Sequence, residues 1–174
     1  MKIVDDSMEQ LITIAEDAVY DGEYRQAKSL YESGLMDEPG YPKLHASLAW
    51  MYHYHQENFE LAERHYLLSI HFDPSYEYPL NGLIDLMMTQ KRYAFLKSKL
   101  LIAQKNQELD QEHILRTLGK IAERQGEFIE AIKYYRMAMM ESTDNDDSAE
   151  LKKDVKRIRM KRFKTILKRW QLQS

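Results

Sequence analysis

The run "WMYHYHQENF", residues 50 to 59, sets one Trp, two Tyr, one Phe and two His within ten positions. Two imidazoles beside a carboxylate raise metal chemistry first. His53 and His55 stand two apart, so on a helix they point to different sides, and His53 pairs with Glu57 only if the helix runs on through both. No HExxH occurs, and the three protein ligands of a catalytic zinc cannot be assembled locally. No metal is expected, and these histidines should be solvent-exposed or groove-lining. Elsewhere there is no Gly-rich phosphate loop, no Ser, His and Asp order and no paired-carboxylate signature, so neither catalysis nor a cofactor is expected. The absence of Cys removes thiolate sites and disulfides. What remains for the run is recognition or packing by aromatic rings, and the elements that carry it decide between them.

Those elements repeat. Phe or Tyr recurs at Tyr24, Phe59, Tyr93 and Phe128, followed by Ala27, Ala62, Leu96 and Ala131, then by Tyr31, Tyr66, Leu100 and Tyr135, then by Gly34, Ser69, Ala103 and Ala138. Every column steps by 35, 34 and 35 residues. Earlier in each unit the pairs Ile14-Ala15, Leu48-Ala49, Leu83-Ile84 and Leu118-Gly119 step by 34, 35 and 35. Apolar residues three and four apart, as in Phe128, Ala131, Ile132 and Tyr135, predict helices, and Gly22 and Gly126 mark the junctions between them. Each unit then reads as two antiparallel helices, with small residues where their backbones approach. Ser7 with Gln10, and Asp147 with Glu150, have capping-box spacing; Pro42 suits a first turn and Asn58 an N-cap.

These columns resemble the tetratricopeptide repeat (TPR) family, most closely in "LRTLGKIAERQGEFIEAIKYYRMAMM", with Pro39 and Pro74 where the family places its proline. The resemblance implies an all-α, right-handed α-solenoid of about four helix-turn-helix repeats with a C-terminal capping helix. The length suits a single domain over 1–174, divided into repeat 1 (8–41), repeat 2 (42–76), a divergent repeat 3 (77–110), repeat 4 (111–145) and a basic cap (147–174). In repeat 3, Ile84, Leu96 and Leu100 replace small and aromatic residues, and no proline follows.

Ala15 to Ala27 spans 12 residues and Gly119 to Ala131 also 12, but Ala49 to Ala62 spans 13. The opening run is thus the end of a first helix plus a turn enlarged by one residue. Tyr52 falls in a core column with Ala18, Met87 and Ala122. By the resemblance, the face that lines a concave groove carries Glu9, Ile12, Glu16 and Tyr20; Lys43, Ala46, Trp50, His53 and Tyr54; Tyr78, Asn81, Asp85 and Met88; and His113, Arg116, Lys120 and Arg124. It runs from acidic through aromatic to basic. The expected function is a non-catalytic adaptor or scaffold that holds a partner's peptide there. Trp50 and Tyr54 are the candidate anchors, and Arg116, Lys120 and Arg124 would meet acidic side chains or a free C-terminus. Ile12 and Glu16 stand where repeats that clamp acidic chaperone tails carry Lys and Asn, which argues against that role.

Composition separates the tail from the rest. Ser148 to Ser174 holds ten Lys or Arg against two acidic residues, a charge of +8, and the preceding 147 residues carry −11. Lys153, Arg157, Lys161, Lys164 and Lys168 share one side of the predicted tail helix, while Leu151, Val155, Ile158, Ile166 and Trp170 supply an apolar one. A solvated cap is the plain reading. Nucleic acid, an anionic membrane surface, or self-association as a homo-oligomeric scaffold are the alternatives. The start, "MKIVDDSMEQ", lacks the apolar run of a signal peptide, and a cytoplasmic location is expected.

Overall fold

Helical periodicity with few internal breakers yields helices throughout. A computed structural model describes residues 2–171, with side chains for 7–168 and 171, so Trp170 lies outside the described side chains. Among the described residues there are nine α-helices and no strand: α1 (Lys2–Tyr20), α2 (Tyr24–Asp37), α3 (Pro42–Tyr54), α4 (Phe59–Phe72), α5 (Glu77–Thr89), α6 (Tyr93–Ala103), α7 (Gln111–Gln125), α8 (Phe128–Glu141) and α9 (Asn145–Gln171). In sequence order the first eight fall into the four expected two-helix repeats, and α1 packs on α2, α3 on α4 and α7 on α8.

A left-handed turn recurs in every repeat. A residue with left-handed backbone follows each first helix: Gly22 (φ 79°), Glu57 (φ 49°), Lys91 (φ 57°) and Gly126 (φ 78°). These four step by 35, 34 and 35, so they form a further column of the repeat. The amide after three of them reaches back five residues: Glu23 to the Ala18 carbonyl, Arg92 to Met87 and Glu127 to Ala122. This is the Schellman closure that satisfies the last carbonyls of a helix. In the second pair the extra residue widens the same ring, and Asn58 N–H donates to the carbonyl of Tyr52, six residues back, at 2.8 Å. Ala18, Tyr52, Met87 and Ala122 are one sequence column, so the closure is conserved in register while its length changes.

Two capping expectations are corrected. Helix α1 already runs from Lys2, so Ser7 lies inside it and is not an N-cap. Helix α9 starts at Asn145, and Asp144 takes the capping role expected of Asp147, its Oδ1 accepting from Asp146 N–H at 2.7 Å. Pro42 does open α3, and the Asn58 side chain accepts from Leu61 N–H at 3.2 Å.

The chain comprises two compact units, Met1–Arg92 and Tyr93–Ser174. The division falls between α5 and α6, inside the third repeat, where the sequence departs furthest from the pattern. In the first unit Ala15, Ala27, Tyr31, Ala49, Ala62 and Tyr66 are buried, and in the second Leu96, Leu100, Leu118, Ala131, Tyr135 and Ala138. The columns of Ala27 and Tyr31 are therefore core columns in every repeat, whereas the aromatic column is not, with Tyr24 and Phe59 exposed and Tyr93 and Phe128 half-buried. Leu96 and Leu100 are as fully buried as the Ala and Tyr they replace, and α6, at 11 residues, is the shortest helix described.

The cap is visible in α9. It packs through Leu151, Val155 and Ile158, all buried. One repeat beyond Leu118-Gly119, where earlier first helices receive their partner, α9 presents exposed Lys152 and Lys153. Charged side chains there cost little in water and close the stack to a further helix.

Candidate ligand-binding face

In the first unit, α1, α3 and α5 share a face joined by polar rungs. Tyr41 donates its hydroxyl to Glu9 Oε1 at 2.8 Å, and Lys43 pairs with the same carboxylate. The Lys43 hydrogen bond, then that of Tyr41, holds the Glu9 carboxyl below its ordinary value. Tyr54 donates to Asp85 Oδ2 at 2.7 Å. Burial first, and then the Asp85 carboxylate, pushes the Tyr54 phenol up to about 12, so at neutral pH it remains a donor. Successive first helices are thus held in register by groups that keep one charge state.

The aromatic run builds the centre of this face. Trp50 is half-buried, with its ring 4.6 Å from His55 and 5.9 Å from Tyr54. His55 in turn stacks on Tyr24 at 4.0 Å. The residue added to this turn therefore has a structural effect: the longer loop lays an imidazole over α2 and braces the indole from behind. Tyr20 is 92% exposed, Tyr78 is exposed and stacks on Tyr76, and Glu16, Asn81 and Asp85 are exposed, with Met88 half-buried. Burial, then Tyr76, raises the Tyr78 phenol to about 12.

The expectation for His53 is corrected: it is 7% exposed and lines no groove. The Tyr54 ring stacks on it at 4.0 Å, Phe59 meets it edge-on, and its Nδ1 lies 3.4 Å from the Tyr66 hydroxyl. Burial lowers its pKa, so the ring is neutral. Ile12 and Ala46, placed on the same face by spacing, are core residues. His55 is exposed, as expected.

In the second unit the basic trio divides. Arg116 is half-buried and held inside the chain by Glu112, Asp147 and Glu150, so its expected role toward a partner's carboxylate is replaced by an internal one. Lys120 and Arg124 are exposed, without an ion pair among the described residues. Glu123, one position from that trio, pairs with Arg157 and Lys161 of α9. Arg157 above all, then Lys161, brings the Glu123 carboxyl down to about 2. Two of the five tail cations thus serve to dock α9, while Lys153, Lys164 and Lys168 are exposed.

One pair escaped the sequence. His45 is buried, its Nδ1 lies 3.0 Å from Nδ1 of His65, and its Nε2 lies 2.9 Å from the Pro39 carbonyl. A carbonyl only accepts, so His45 carries its proton on Nε2 and His65 donates from Nδ1. The available signal was His45 standing in a column with Leu11, Leu80 and Leu115. Among the described residues no group of three or more His, Asp or Glu converges as a metal site would.

Two-helix repeats of 34 to 35 residues, each with a left-handed residue after its first helix and each burying the columns of Ala27 and Tyr31, define a TPR-type α-helical solenoid fold. No family model matches the sequence, and no curated protein does. Among solved structures the chain is similar to PilF of Pseudomonas aeruginosa, at 21% identity over 85% of this chain and 68% of that one, with a TM-score of 0.67. It is similar to yeast Tom70 at 16% identity over 88% of this chain but 33% of that one, with a TM-score of 0.72. It is also similar to PilW, described as a type IV pilus biogenesis factor, at 17% identity over 86% and 70% of the two chains, with a TM-score of 0.64. At these identities the likeness is one of fold.

Proposed function

We propose that this protein is a non-catalytic interaction scaffold that binds an extended or helical segment of a partner protein on the face shared by α1, α3 and α5. The observation that carries the reading is Trp50: a half-buried indole whose ring meets His55 and Tyr54, with Tyr20 of α1 and Tyr78 and Asn81 of α5 also exposed. A braced aromatic loses little freedom on binding, which is what makes Trp and Tyr effective anchors. The polar neighbours suit a peptide backbone, with Asn81 able both to donate and to accept. Glu16 and Asp85 on this face favour a segment carrying cations near the anchor, a change from the acidic segment expected when Arg116 was counted as free.

Site-specific photo-crosslinking tests this. Benzoylphenylalanine at Tyr20 or Asn81 should yield partner adducts in cells, and the same probe at Met36, an exposed residue of α2, should not. Adducts from Met36 alone would place recognition on another surface.

A further inference from the structure

Helix α9 continues well past the residues that pack it. Its last buried side chain is Ile158, and among the described residues beyond it only Thr165 is even half-buried. The stretch 155 to 171, "VKRIRMKRFKTILKRWQ", holds eight Lys or Arg and no acid. At 100° per residue, Lys152, Lys153, Lys156, Met160, Phe163, Lys164 and Leu167 fall within about a third of the circumference, on the side away from Leu151, Val155 and Ile158. Met160 is 53%, Phe163 56% and Leu167 45% exposed. The four lysines of the strip have no ion pair among the described residues, whereas Arg157 and Lys161 on its flank are committed to Glu123.

We propose that this outward strip docks on an anionic lipid surface, with Met160, Phe163 and Leu167 entering among the headgroups and the lysines ranged around them. Three apolar side chains at a helical spacing of three and four, left in water amid cations, need a medium that takes up both. The strip is the ridge of a single helix and offers a protein partner no cleft. Four of its cations are Lys, long-stemmed point charges that spread over a field of anionic headgroups, with exposed Arg159 at its edge. Nucleic acid would use the lysines but leave the central apolar ridge without a role. Among the described residues no helix is long and apolar enough to cross a membrane, so the contact is peripheral.

Co-sedimentation of the full chain with phosphatidylcholine vesicles, with and without phosphatidylglycerol, tests this. Binding is expected only to the anionic vesicles, falling steeply with salt. Each of Lys152→Gln, Lys156→Gln and Lys164→Gln should weaken it about fivefold. The combined variant Met160→Gln, Phe163→Gln and Leu167→Gln, checked by circular dichroism to retain its helix, should weaken it about tenfold or more. Trp50→Ala should leave it unchanged, so that failure here and failure of the peptide-binding reading are separable. Absence of binding to anionic vesicles at low salt, equal binding to neutral vesicles, or indifference to the triple variant would each overturn the proposal. So would retention of duplex DNA by a chain that ignores vesicles.

Discussion

Gly82 of α5 lies against the ring of Tyr66 of α4 so closely that a Cβ on the glycine would sit 2.4 Å from the ring carbons Cε1 and Cζ. Tyr66 is fully buried and cannot swing away. Gly34 meets a comparable approach, 2.8 Å, but from the Cδ1 of Leu44, the end of a flexible side chain. Gly82→Ala is therefore expected to destabilise the first unit by about 1–3 kcal/mol, the range for overpacking a filled core, and more than Gly34→Ala does. Urea unfolding of the two variants checks the order.

The left-handed turn column gives an opposite expectation. Glu57 and Lys91 hold positive φ where the first and fourth repeats have Gly22 and Gly126. A side chain in that conformation costs about 1–2 kcal/mol, partly offset by the entropy that Gly gives up on folding. Glu57→Gly and Lys91→Gly should each raise stability by roughly 0.5–1 kcal/mol, and Gly22→Ala and Gly126→Ala should lower it. Thermal melts of the four variants decide the sign at each position.

Acid should loosen the second repeat through the histidine pair. Burial, then His45 and Arg64, brings His65 down to about 4 from an ordinary 6.5, and burial also lowers His45. The unfolded chain then binds more protons than the folded one as the medium is acidified. The contribution is intact above pH 6.5 and is lost progressively toward pH 4. Replacing both residues by Leu removes the groups that must be kept neutral. The stability of that variant, followed against pH by denaturant titration, should fall less between those limits than that of the parent.

How much of this was legible depended on whether a residue acts through a repeated column. Tyr31, Tyr66 and Tyr135 were assigned to the core from spacing alone, and all three are buried. The lengthened turn after Tyr54 was read from one extra residue and is present. Gly82 was missed because its column, Thr13, Ser47, Gly82 and Thr117, is not one of the repeat columns, and its contact is with Tyr66 of the preceding repeat. His53 was misplaced because a wheel gives direction, and what covers it, the Tyr54 ring and Phe59 beyond the turn, is set by a loop with no regular period. Arg116 was misjudged for a related reason, since its partners Asp147 and Glu150 lie on a helix whose start was expected two residues later than it falls.

The account turns on Trp50 as the anchor of a peptide-binding face. Peptides selected from a displayed random library on the intact protein can be labelled and titrated, by fluorescence anisotropy, against the parent, Trp50→Ala and Met36→Ala. Loss of an anchor Trp costs about 2 kcal/mol or more, roughly a thirtyfold weakening, and that is expected for Trp50→Ala alone. Selected peptides that bind Trp50→Ala as tightly as the parent would contradict it.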